Sequence, residues 1–181
     1  MVLSVRRLGV LLALLCASLA LAGTAAAGPA DARTGIAEAD ALEAKTIIAI
    51  NVLRREHGLR TVRFSPQLMA SAAAHAIAMG EEGFFAHESA DGSEFWQRIA
   101  RFYPTKGFER WTVGENLLWG SPTVTPEKAV DLWLDSPSHR RILLNPAWTE
   151  IGLAAVRVTN APGVFDGLEV TILTADFGVR A

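Results

Sequence analysis

An α+β fold is what this chain predicts, on three observations. Helical patterns occupy its first half, two strand patterns close it, and a turn-rich stretch joins those strands as a hairpin. A doubly wound parallel sheet would instead alternate strands with helices along the whole chain.

The first residues read as a targeting segment. Arg6 and Arg7 form a basic start, residues 8–21 are apolar and uncharged, and Ala25-Ala26-Ala27 offers a small-residue cleavage site before Gly28. The apolar core is too short to span a membrane comfortably, which takes roughly 20 residues. Residues 1–27 are therefore expected to be a signal peptide, removed on export. Cys16 follows Leu15, where a lipid attachment signal wants a small residue. Once it is removed, residues 28–181 carry no cysteine, because Cys16 is the only one. Neither disulfide nor thiol chemistry is then open to the protein, and its core must hold it together. The formal net charge is −2 and becomes more acidic without Arg6 and Arg7, which argues against broad nucleic-acid binding.

Residues 28–38 are small, polar and aperiodic, and read as a flexible leader. Over residues 39–57 the pattern is helical, with Leu42, Ala49 and Leu53 on one face and Ile48 and Val52 beside them. Gly58 is placed to end it. Ser65-Pro66 opens a second helix as N-cap and first-turn proline, with an inward stripe of Leu68, Ala72, His75, Ala76 and Met79. Asp91-Gly92 is a turn signal, and a short helix carrying Phe95, Ile99 and Phe102 follows. Residues 111–119 are strand-like around Gly114-Glu115-Asn116, a run whose composition favours tight turning. Thr125-Pro126 and Ser136-Pro137 repeat the cap-plus-proline start for two further helices. Strands over residues 150–158 and 168–177 finish the chain, joined through Pro162-Gly163 and Asp166-Gly167.

Chemistry concentrates on few residues. His139 lies in the first turn of the helix opened by Ser136, where the positive end of the dipole disfavours imidazolium and leaves a neutral ring. Glu115 can orient a histidine through its ring N–H or bind a cation directly. Ser136 is explained as a cap before it is explained as a nucleophile, and Asn116 as a turn stabiliser. His75 reads as a packed core histidine, and the five tryptophans chiefly as packing, with Trp111 and Trp119 able to line a groove beside Glu115.

Seven motifs then fall in one order: Asn51-Val52-Leu53-Arg54; His87-Glu88-Ser89 with Asp91-Gly92; Gly114-Glu115-Asn116; Trp133 with Ser136-Pro137-Ser138-His139-Arg140; Ile142-Leu143; Glu150-Ile151-Gly152; and Phe177-Gly178. Over about residues 42–178 the chain resembles the CAP superfamily of cysteine-rich secretory, antigen 5 and pathogenesis-related proteins. That resemblance implies a three-layer α-β-α sandwich with a small central antiparallel sheet, here over residues 39–181. It also implies a cleft of two histidines and two glutamates, which by position would be His87, His139 and Glu115. Ser136 stands where eukaryotic members have the second glutamate, so the expected site is the triad His87, Glu115, His139.

The function expected on this basis is an exported binding or interaction module, secreted or periplasmic, whose cleft takes a divalent cation, Zn²⁺ before others. Its partner would be a small-molecule, lipid or cell-envelope ligand, with no nucleic acid and no transmembrane segment after cleavage. The alternatives are a metal-assisted hydrolase using Glu115 and His139 as its acid–base groups, or a lipid-binding protein.

Overall fold

A computed structural model describes the backbone of residues 29–181 and the side chains from Asp40 onward. The expected signal segment lies outside the described residues. The elements run α1 (Pro29–Glu56), β1 (Arg63–Phe64), α2 (Pro66–Glu82), α3 (Phe95–Phe102), β2 (Trp111–Gly120), α4 (Pro126–Asp135), α5 (Pro137–Leu143), β3 (Glu150–Val158) and β4 (Val170–Arg180). The sheet order is β1-β3-β4-β2. β3–β4 and β4–β2 are antiparallel, and only the two-residue β1 pairs parallel, against the start of β3.

The expected layers are present, with α1, α4 and α5 on one face of the sheet and α2 and α3 on the other. β4 is buried on both faces, which is why its sequence shows little alternation. Leu173, Ala175, Phe177 and Val179 pack with Ile50, Leu53, Trp133 and Leu143 on one side. On the other, Val170 and Ile172 pack with Ala76, Met79 and Phe165. Gly152 allows the closest approach of the layers: a Cβ there would lie 1.9 Å from the Met69 backbone nitrogen. α2 therefore rests directly on β3.

Helix starts follow the expected chemistry. The Ser65 hydroxyl accepts from the Leu68 N–H, Thr125 from Lys128, and each is followed by proline. Ser136 sits at the N-cap of α5, but its hydroxyl pairs with that of Ser138 at 3.0 Å and caps no backbone N–H.

Three expectations need correction. α1 begins at Pro29, so the stretch expected as leader, residues 28–38, is helical from Pro29 on; a first-turn proline and repeated alanines suit that state. Leu42, Ala49 and Leu53 pack on the core as expected, but Thr46, Ile50 and Arg54 are buried with them, whereas Ile48 is 61% exposed and Val52 39%. Polar residues hid this part of the face from an apolar pattern. The Thr46 hydroxyl bonds back to Leu42 O, and the Arg54 guanidinium donates to the carbonyls of Arg60, Leu143 and Asn145. Lastly, Gly114-Glu115-Asn116 is not a turn. It lies mid-strand in β2, paired with Phe177, Asp176 and Ala175. Glycine is needed there because a Cβ would come within 2.9 Å of the Trp148 ring.

Candidate functional site

The candidate site is built on β2, the edge strand on the far side of β4 from β3. Successive strand residues point to opposite faces, so Glu115 and Asn116 leave the sheet in opposite directions. Glu115 points toward α2 and α3. One of its oxygens accepts from His87 Nδ1 at 2.8 Å, and the other pairs with the Arg98 guanidinium of α3. Its side chain is almost wholly buried, while that of His87 is 46% exposed. A carboxylate accepts and does not donate, so His87 carries its proton on Nδ1 and has Nε2 left for a ligand. The imidazole also tilts against Phe95, with ring centroids 6.2 Å apart.

Asn116 points the other way and donates through Nδ2 to the backbone carbonyl of His139, 3.1 Å away. His139 is half-buried in the first turn of α5. Burial first, and the neighbouring charge of His87 second, hold its imidazole below its ordinary pKa. It is therefore neutral at pH 7, as expected, although desolvation is the larger cause.

Behind Glu115 lies a buried polar cluster that extends the expected triad. Asp176 of β4 is directly opposite Glu115 in register and fully buried. Neither of its oxygens makes a hydrogen bond of ordinary geometry. Burial and then the adjacent Glu115 charge push its carboxyl well above the usual range, with Ser71 facing it. His75, expected as a core histidine, is buried and donates from Nε2 to Ala86 O at 2.9 Å; burial depresses its pKa.

The structure thus brings His87 and Glu115 into direct contact, and ties His139 to the same strand through the bond from Asn116 to its backbone carbonyl. Among the described residues, no three His, Cys, Asp or Glu side chains are gathered closely enough to hold a metal. Both Glu115 oxygens are already engaged. The residues whose chemistry would suit a borderline metal are the two histidines, with Glu115 bonded to the Nδ1 of one of them. Ser136, which replaces the family's second glutamate, adds no carboxylate. Trp111 and Trp119 serve packing: Trp111 donates to Tyr103 O, and Trp119 stands edge-on to Phe165.

Arg98 and Asp176 were not among the expected site residues. Each carried a signal. Arg98 falls on the same helical face as Phe95, Ile99 and Phe102, and Asp176 is a lone charge in an apolar strand run.

Comparison with known proteins agrees with this architecture. Residues 47–176 match the profile of the cysteine-rich secretory protein family, CAP. The chain is 32% identical over 116 residues to the uncharacterized protein YkwD of Bacillus subtilis (strain 168), covering 64% of this chain but only 43% of that protein. Among solved structures it is similar to an outer surface protein of Borrelia burgdorferi, at 26% identity and a TM-score of 0.57, over 75% of this chain and 90% of that one. An extracellular protein with an SCP domain from Bacillus anthracis str. Ames shares the fold at 24% identity and a TM-score of 0.63, over 83% of this chain and 44% of its own.

Proposed function

The chain belongs to the cysteine-rich secretory protein family, and from that premise we propose an exported binding module whose cleft takes a divalent cation of the Zn²⁺ class between His87 and His139. The observation that carries this reading is the His87–Glu115 bond at 2.8 Å. A carboxylate on the far ring nitrogen is the usual partner of a metal-ligating histidine, because it fixes the tautomer and raises ligand basicity. His139 is held neutral, the state a metal requires. Two protein ligands leave positions for water or for a donor from a partner, so the protein's own affinity is modest. Ca²⁺ and Mg²⁺, which prefer oxygen ligands, bind worse.

Export rests on the basic start, the apolar stretch and the alanine cleavage site of residues 1–27. Similarity to an outer surface protein is consistent with it, and among the described residues no helix is long and apolar enough to cross a membrane. The hydrolase alternative is weaker. A general base needs a free oxygen in reach of water, and Glu115 is buried with both oxygens engaged.

Calorimetric titration of Zn²⁺ into the wild type and a His87→Ala, His139→Ala double variant tests the metal reading. Binding is expected only in the wild type and weakens as pH falls, because protons compete with the metal for the imidazole nitrogens. Equal binding in both proteins would place the metal elsewhere.

One further observation favours a second ligand. Between α1 and α4 lies an open apolar groove of about 520 Å³, lined by Ile48, Val52, Leu53, Val130 and Leu134. Lys45, Glu56, Glu127 and Asp131 line it as well, so an amphipathic lipid with an apolar chain is the class of ligand it suits. Displacement of a fluorescent fatty-acid analogue, and its loss in Val52→Glu, separates the two sites.

A further inference from the structure

His87 sits on a loop, residues 84–94, that has no regular structure of its own. Backbone bonds close only its second half, from Ser89 N to Ser93 O and from Gly92 N to Ser89 O. The first half, which carries the histidine, is held by side chains from three separate elements. His75 of α2 donates to the carbonyl of Ala86 at 2.9 Å. Arg98 of α3 donates through Nη1 to the carbonyl of His87 at 3.1 Å and to the Ser89 hydroxyl at 3.0 Å. Through Nη2 the same guanidinium pairs with Glu115 of β2, which in turn holds the His87 ring. Two consecutive carbonyls and the ring are thus fixed from behind, by groups that are nearly or fully buried. Arg98 binds both the loop and the carboxylate that reads its imidazole, so backbone and ring are held in one frame.

We propose that Arg98 and His75 are positioning residues that clamp the 84–88 stretch and hold His87 as an Nδ1-protonated imidazole with Nε2 presented to the cleft. A planar guanidinium forks across several acceptors at once, which a lysine ammonium on a flexible stem does not reproduce. Arg98→Lys therefore keeps the charge beside Glu115 while loosening the loop. His75→Phe keeps the ring volume but strips the Ala86 carbonyl of its donor. The effect on the imidazole is independent of any metal; the effect on affinity rests on the two-histidine reading above.

The test is ¹⁵N NMR of the histidine side chains in the metal-free protein of residues 28–181, for the wild type, Arg98→Lys, Arg98→Met and His75→Phe. The wild-type His87 is expected to show the separated nitrogen shifts of a single Nδ1–H tautomer. In Arg98→Lys and His75→Phe those shifts move toward the tautomer average, while Val62→Ala, a core truncation elsewhere, leaves them in place. Should Arg98→Met fail to fold, the other two variants carry the test. Zn²⁺ titration of the same proteins is expected to show affinity about 10–100-fold weaker than wild type, the usual effect of losing an orienting partner. Unmoved His87 shifts in both Arg98→Lys and His75→Phe would overturn the clamp, whatever the metal does. Moved shifts in a protein whose wild type takes no Zn²⁺ would uphold the clamp and overturn the metal site.

Discussion

Replacing Asp176 with Asn should stabilise the protein at neutral pH, by an amount that depends steeply on pH. The carboxyl is fully buried on the central strand, opposite Glu115 and with Arg98 as the nearby cation. Arg98 already pairs with Glu115. Burial and the Glu115 charge raise the Asp176 pKa well above its ordinary value, so it stays protonated in the fold after the unfolded chain has ionised. A group with a raised folded pKa contributes stability that is fully present below the unfolded pKa, about 3.9, and is lost as pH rises toward the folded pKa. The loss runs at about 1.4 kcal/mol per pH unit while the folded carboxyl keeps its proton. At pH 7 that sums to a ceiling of about 4 kcal/mol. Asn mimics the protonated carboxyl in shape and does not ionise, so Asp176→Asn should match the wild type near pH 4 and exceed it increasingly above. Urea unfolding of both proteins at pH 4.5, 5.5, 6.5 and 7.5 reads the difference, in which the titration of other groups largely cancels. A stability difference that stays constant across this range would refute the assignment and mean that Asp176 ionises in the fold as it does in the unfolded chain.

Other expected outcomes check separate parts of the structure. Trp133 is fully buried and donates its indole N–H to Leu117 O on the edge strand, so Trp133→Ala should cost about 3–5 kcal/mol in chemical unfolding. A loss below about 1 kcal/mol would show that the site collapses around the missing ring. Gly152→Ala drives a methyl against the α2 backbone; since helix backbone cannot yield as a side-chain tip can, its cost should reach or exceed the roughly 1–3 kcal/mol of ordinary overpacking, and a melt close to wild type would contradict the contact. His139→Gln should leave metal-free melting nearly unchanged, because that side chain is only half-buried and the bond from Asn116 goes to the backbone carbonyl of residue 139, which the substitution keeps. The contribution of His75 and His139 to wild-type stability should fall as pH drops below about 6.5, opposite in sign to that of Asp176, since both have depressed pKa values and the unfolded chain takes up protons first. That acid loss should shrink in His75→Phe, provided the variant folds.

What the sequence made legible was local. Ser65-Pro66, Thr125-Pro126 and Ser136-Pro137 each start a helix where the sequence places one, although the Ser136 hydroxyl caps no backbone N–H, and the α2 stripe from Leu68 to Met79 is buried as its spacing requires. β1 was not legible, because two residues have no period to detect. The part of the α1 face that went unread has a chemical cause: the Thr46 hydroxyl and the Nε and Nη1 of Arg54 are buried on backbone carbonyls, and no apolar pattern records that. His87, Glu115 and His139 could be named from motif order. Their partners could not, since Arg98 lies on another helix and Asp176 on another strand, and only pairing through space shows that they act on Glu115.

The Glu115-Asn116 step shows why a run that looks like a turn serves better as a strand. A turn would send both side chains into solvent and leave the two histidines on independent loops. Placed mid-strand, adjacent residues take opposite faces by geometry alone. One side chain then holds the His87 ring while the next holds the His139 backbone. The glycine before them belongs to the same solution, because the Trp148 ring packs where its side chain would be. The two imidazoles are thereby referred to a single rigid strand, paired along its length with the buried β4, and neither the loop after α2 nor the short helix α5 has to set their relative position unaided.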